Sequence, residues 1–135
     1  MPAPYQPATL SRDELRRRIE AILPRVERPT RYLGNEVNAI RKDPATSDVS
    51  VCLCFPELYE VGMSWPGLQI LYHILNTHPG VVCERAYSPW FDMEKEMRAA
   101  GVPAFSLESW SPLASFDVLG FTLQYELTFT NLLNV

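Results

Sequence analysis

The run Val49-Ser50-Val51-Cys52-Leu53-Cys54-Phe55, stopped by Pro56, does most to restrict the fold. β-Branched and aromatic residues alternate there with small ones and no charge intervenes, which suits a strand buried on both faces in a parallel sheet. A helix fits next. Ser64 stands at a cap position, Pro66 falls in the first turn, and Leu68, Leu71, Tyr72 and Leu75 recur at helical spacing before the turn Asn76-Thr77-His78-Pro79-Gly80. Val81 to Ala86 then reads as a second strand, followed by a loop through Ser88-Pro89-Trp90 and a short helix from Asp92 to Ala100, with Met93, Met97 and Ala100 inward and Gly101 as its stop. Ala104 to Leu107 reads as a short strand and Val118 to Leu123 as a strong one. Leu127 to Val135 starts another helix, with Phe129, Leu132 and Leu133 on one side and no terminating signal. This alternation predicts an α/β fold: an incomplete, Rossmann-like, mostly parallel sheet with flanking helices and right-handed crossovers.

Residues 49–135 form this body, and residues 1–48 read as a basic helix followed by an extended linker. Ser11 and Glu14 make a capping box, Leu10 and Leu15 a hydrophobic staple, and Leu15, Ile19 and Ile22 an apolar stripe that ends near Pro24. From Arg25 to Asp48, Pro29, Gly34 and Pro44 interrupt any periodicity. Residues 1–42 hold nine of the twelve Lys and Arg and five of the sixteen acids, a local balance of +4 against −8 for the remainder. Such an arm suits an acidic surface of its own protein better than RNA, and the net charge of −4 argues against nucleic acid as a partner. With 47% hydrophobic and 21% charged residues the composition is that of one soluble domain. The apolar runs are strand-length, too short for a membrane span, and Met1 to Leu10 lacks the pattern of a signal peptide, so a cytoplasmic location is expected. Three cysteines, two of them on one face of a strand, argue against a disulfide framework.

Ligands of open parallel sheets bind beyond the carboxyl ends of the strands, where strand order reverses. Two segments qualify: the loop containing Tyr59, Glu60, Gly62, Met63 and Ser64, which leads into a helix N-terminus, and Gln124-Tyr125-Glu126 after the last strand. Taken alone, these residues also suit a plainer role, with Tyr59 and Tyr125 covering the sheet end and Glu60 and Glu126 in solvent. No catalytic or metal-ligating set is expected. Cys52 and Cys54 have no further ligands at suitable spacing, His73 and His78 have no nucleophile beside them, and Glu57 and Glu60 sit in a loop that fixes no acid–base geometry. Dinucleotide, phosphate-loop and nucleophile-elbow signatures do not occur.

Several stretches resemble a family of radical S-adenosylmethionine (radical SAM) proteins that begin with a cobalamin-binding-like domain. They are Arg31-Tyr32-Leu33-Gly34-Asn35-Glu36 with Arg41-Lys42-Asp43, Phe55 to Ser64 with Gly67 to Tyr72, Ser88-Pro89-Trp90, Asp92-Met93-Glu94, Phe105 to Ser109, and Gly120 to Leu127. The resemblance implies a flavodoxin-like, cobalamin-binding-type domain preceding a radical SAM barrel, with the 4Fe–4S cluster and S-adenosylmethionine held by that barrel, since Cys52, Cys54 and Cys83 lack the Cys-x3-Cys-x2-Cys spacing. The chain is then expected to be non-catalytic alone and to have the barrel of its own protein as partner. Histidine-ligated cobalamin needs Asp-x-His-x-x-Gly after the first strand, where this sequence has Tyr59-Glu60-Val61-Gly62-Met63-Ser64. The principal expectation is therefore a cofactor-binding module taking cobalamin without a protein histidine ligand. The alternative is a docking domain with an empty pocket that packs against the barrel. An uncovered sheet edge further predicts self-association.

Overall fold

The computed structural model describes residues 10–134, so Met1–Thr9, where a signal peptide was not expected, and Val135 lie outside the described residues. Strands β1 (Val49–Phe55), β2 (Val81–Tyr87) and β3 (Val118–Phe121) form one sheet, with helices α1 (Arg12–Ile22), α2 (Tyr59–Met63), α3 (Pro66–Thr77), α4 (Phe91–Ala100) and α5 (Phe129–Asn134) around it. The sheet is parallel throughout, in the order β2-β1-β3, with Val51 level with Cys83 on one side and Val118 on the other. This is an α/β, incomplete Rossmann-like arrangement. The chain leaves β1 through α3 to β2 and returns past α4 to β3, so strand order reverses at β1. β1 is buried from Ser50 onward, as its uncharged run requires.

Alternate residues of β1 serve two cores. Val51, Leu53 and Phe55 pack with Leu68 and Tyr72 of α3, while Cys52 and Cys54 face Ala86, Leu113 and Phe116. In a third core, Leu15, Ile19 and Ile22 of α1 meet Met93 and Met97 of α4 together with Val26, Tyr32 and Val102. Each wholly buried aliphatic chain here contributes about 1.5–3 kcal/mol. The cap of α1 forms as its sequence suggests, Ser11 Oγ accepting from Glu14 N at 3.2 Å. Arg18 of α1 donates to the Ala100 carbonyl at the end of α4 (2.8 Å), and Gly101 closes α4 in the left-handed conformation.

Local details depart from the sequence reading. The expected strand Ala104 to Leu107 is not a strand: Phe105 makes one isolated antiparallel bridge with Pro112. Prolines at 103 and 112 leave too few donors for a ladder. Within the expected loop after β1, Tyr59–Met63 is helical. Trp65, not Ser64, caps α3, because the Ser64 hydroxyl is spent on the Val61 carbonyl (2.7 Å). The last strand stops at Phe121, and the final helix begins at Phe129 after a 3-10 turn at Glu126–Thr128.

The two edges of the sheet differ. Along β2 the outward groups of Val81, Cys83 and Arg85 are engaged: the Val81 carbonyl by Lys42 Nζ (2.8 Å), Cys83 N and O by the Asn76 side-chain amide (3.0 and 2.9 Å), and Arg85 N and O by the Glu108 carboxylate and Leu107 N (2.8 and 2.7 Å). Side chains thus do the work of a neighbouring strand. Along β3 no such partner occurs among the described residues, and Val118, Leu119 and Phe121 are all exposed.

Candidate functional site

Pro56 turns the chain off the sheet, and α2 folds back over the carboxyl ends of β1 and β2. Gly62 lies so close to the Tyr87 ring that a Cβ there would overlap it. This contact brings Tyr59 and Met63 over Arg85, a cation in the middle of β2 that is only 2% exposed. Arg85 Nε donates to Glu108 Oε1 (2.7 Å), Nη2 to Glu36 Oε2 (3.1 Å) and Nη1 to Met63 Sδ (3.2 Å), and the guanidinium lies 4.4 Å from the Tyr72 ring centre. Tyr59 donates to the other Glu36 oxygen at 2.6 Å, and Met63 Sδ also accepts from Tyr87 and from Gln69 (3.2 and 3.5 Å).

Electrostatics follow from this packing. Burial opposes charge on Arg85, but Glu108, Tyr87 and Tyr72 together outweigh it and the guanidinium pKa rises. Burial pushes the Glu108 carboxyl above the usual range, with Arg85 pulling it back. Tyr59 is held well above an ordinary phenol by burial and by the Glu36 carboxylate. Glu60 is exposed. Burial raises its pKa, but pairing with Arg31 at 2.8 Å and Arg28 at 3.4 Å outweighs this and the net shift is downward.

The segment 26–42 is thus a strap fixed along the body. It is fixed by Arg31 and Arg28 on Glu60, by Glu36 on Arg85, by Arg41 on the Gly34 and Glu108 carbonyls, and by Lys42, whose ammonium reaches the carbonyls of Asn76, His78 and Val81. Gly34 makes the turn at φ +60°, against the Leu107 carbonyl. Arg17 and Arg18 of the basic helix pair with Glu14, and Arg16 stands over the Trp110 ring.

The second predicted segment lies at the end of β3. Gln124, Tyr125 and Glu126 are exposed, and Tyr125 donates to Glu57 at 2.7 Å, which links the loops after β1 and β3 across the point of strand reversal. No hydrogen bond joins this pair to the Tyr59–Met63 group. Beside it, Ser88 Oγ and Thr122 Oγ1 are buried without a partner among the described residues, each just past the end of a strand. Sequence reasoning missed Glu36, Gln69, Arg85 and Glu108. The available signal was Glu84-Arg85 inside an otherwise apolar strand, since charges placed there need buried partners.

The cysteines do not make a cluster site. Cys52 and Cys54 face one side of the sheet and Cys83 the other, all buried. The neighbouring Cys54 and burial raise the Cys52 thiol, and burial pushes Cys83 up to about 12. No group of three metal-ligating side chains occurs among the described residues, so they do not fit a 4Fe–4S cluster. No described helix is long and apolar enough to cross a membrane.

Residues 67–135 match the family described as radical SAM proteins, N-terminal. The chain belongs to that family. No curated protein and no solved structure matches it. The radical SAM N-terminal match runs from α3 to the end of the chain. It includes Arg85, Glu108 and the Gln124–Glu126 segment, whereas the strap, β1 and α2 precede it. Membership ties the parent protein to S-adenosylmethionine and a 4Fe–4S cluster, and the described residues supply no ligands for the cluster.

Proposed function

We propose that this chain is a non-catalytic docking module of a radical SAM protein, closing onto the rest of that protein through β3. The open β3 edge carries the reading: its outward backbone groups have no partner among the described residues and Val118, Leu119 and Phe121 are exposed, while the β2 edge is covered at Val81, Cys83 and Arg85. An exposed apolar edge strand is a template for strand addition, and a lone domain would be expected to blunt it. The Tyr59, Glu60 and Met63 side chains support docking over cofactor binding, because each is already engaged by the strap or by β2.

A test uses this chain and the separately produced radical SAM barrel of its own protein. The wild-type chain should bind the barrel in calorimetry, and Leu119→Lys with Phe121→Lys should abolish binding while leaving the circular dichroism spectrum unchanged. Equal binding by the doubly substituted chain overturns the proposal.

One observation favours a second reading, a cofactor crevice where strand order reverses. The orphaned Ser88 and Thr122 hydroxyls and the Tyr125–Glu57 pair offer hydrogen bonds to a polar ligand edge there. Histidine-ligated cobalamin does not fit, since His73 is on α3 and His78 caps its far end. Titration of a longer radical SAM protein with hydroxocobalamin separates the readings. A saturable spectral change weakened by Tyr125→Phe supports the crevice, and no change in a folded protein removes it.

A further inference from the structure

Three donors converge on one sulfur at the carboxyl end of β2. The Met63 thioether accepts from Arg85 Nη1 and from the Tyr87 hydroxyl, each at 3.2 Å, and from Gln69 Nε2 at 3.5 Å. The Gln69 amide is oriented for this, because its Oε1 accepts from the same Arg85 nitrogen at 3.4 Å. Arg85 Nε and Nη2 make their bonds to the Glu108 and Glu36 carboxylates, so Nη1 is the guanidinium nitrogen that depends on the sulfur. A thioether is a weak acceptor, and here it serves a cation, a phenol and a carboxamide at once.

Donors that outmatch their acceptor mark a point where a stronger acceptor would be held better. An anionic ligand does not suit it. Glu108 and Glu36 already set two carboxylates against one guanidinium, and a third negative charge would be repelled. A neutral oxygen escapes that repulsion, and oxidation of the thioether supplies one at the sulfur itself. Met63 is also the methionine that a small oxidant can reach. It is half-buried, whereas Met93 and Met97 are 0% and 8% exposed.

We propose that Met63 is an oxidation site whose sulfoxide is held by Arg85, Tyr87 and Gln69. With a peroxide as oxidant, a sulfur lone pair attacks one peroxide oxygen, the S–O bond forms as the O–O bond breaks, and sulfur gives up two electrons. The transferred oxygen passes its proton to the departing hydroxide, which leaves as water. Methionine sulfoxide ordinarily disrupts packing, because a polar group replaces an apolar one. At Met63 the new oxygen meets donors that the thioether satisfies poorly, so α2 stays closed on β2. The site is independent of docking at β3, and either proposal can fail alone.

The test treats the 135-residue chain with hydrogen peroxide, maps the oxidised residues by peptide mass spectrometry and follows unfolding in urea. Met63 should gain oxygen before Met93 and Met97, and the urea midpoint of the chain oxidised at Met63 should be no lower than that of the reduced chain. In Gln69→Leu with Tyr87→Phe, which removes two of the donors, the same oxidation should lower the midpoint by about 0.5 M or more. Two further variants need no oxidant and keep the test decisive if that chain does not fold. Met63→Gln carries a neutral oxygen acceptor on a stem of similar length and Met63→Leu carries none, so Met63→Gln should have the higher midpoint by about 0.5 M. Earlier oxidation at Met93 or Met97, a midpoint that falls on oxidation of Met63 in the wild-type chain, an equal response in the chain lacking the two donors, or Met63→Leu at least as stable as Met63→Gln overturns the proposal.

Discussion

Replacing Arg85 by Met removes the cation at the centre of the buried network while keeping an apolar stem of similar length. Lost are the 2.7 Å bond to Glu108, the 3.1 Å bond to Glu36 and the contact with the Tyr72 ring. Glu108, 3% exposed, keeps only the 2.8 Å bond from the residue 85 backbone and becomes a buried charge without a counter-ion. Breaking a buried pair from one side costs about 3–5 kcal/mol. In urea, at a slope of about 2 kcal/mol/M, the midpoint should fall by roughly 1.5–2.5 M. Adding Glu108→Leu should recover much of this, leaving a cost of about 1–3 kcal/mol for the orphaned backbone N–H. The pH dependence has a definite sign. Without Arg85, the Glu108 pKa stays above its unfolded value, so the protonated form favours the fold at acid pH and this benefit disappears as pH rises through the folded pKa. The gap to wild type should therefore be smaller near pH 4 than near pH 7. A midpoint shift below about 0.5 M, or a gap that widens toward acid, refutes the assignment of Arg85 as the counter-ion that holds this core together.

Gly34→Ala combines a left-handed backbone with overlap on the Leu107 carbonyl, so it should lower stability by at least about 2 kcal/mol in the same urea assay and loosen the strap. Asp117 is held below its ordinary pKa by hydrogen bonds from Ser50 N and Oγ. Its contribution is present above the unfolded pKa of about 3.9 and is lost as pH falls through the lower folded value, so acid unfolding followed by circular dichroism should be flatter between about pH 4 and 2 in Asp117→Asn. All three thiols should resist a disulfide reagent at pH 8 until the chain unfolds, because Cys52, Cys54 and Cys83 are buried and the Cys52 and Cys83 pKa values are raised; stoichiometric reaction of the native chain within minutes would contradict this packing.

The elements legible in the sequence were those whose periodicity and caps agree with their burial. β1 announces itself by an uncharged run, α1 by Ser11 and Glu14 with the Leu15, Ile19 and Ile22 stripe, and α4 by Met93, Met97 and Gly101. Contacts between residues distant along the chain were not legible. Glu36 meets Arg85 across 49 positions, and no local pattern encodes that meeting. Ala104 to Leu107 misled because its apolar alternation serves an edge cover held by the Leu107 amide and the Glu108 carboxylate, which imitates a strand without a ladder. At the candidate site, the placement of two loops at the carboxyl ends was foreseen. That Tyr59, Glu60 and Met63 are occupied by the strap and by β2 depends on tertiary pairing, which periodicity does not carry.

Amide hydrogen exchange compares the two sheet edges directly. It should be measured on this chain alone and within a radical SAM protein that carries the module. Docking through β3 predicts that β2 amides are protected in both, whereas the outward amides of Val118–Phe121 exchange readily in the chain alone and slow by orders of magnitude in the larger protein. Outward β3 amides that exchange equally fast in both would contradict the account.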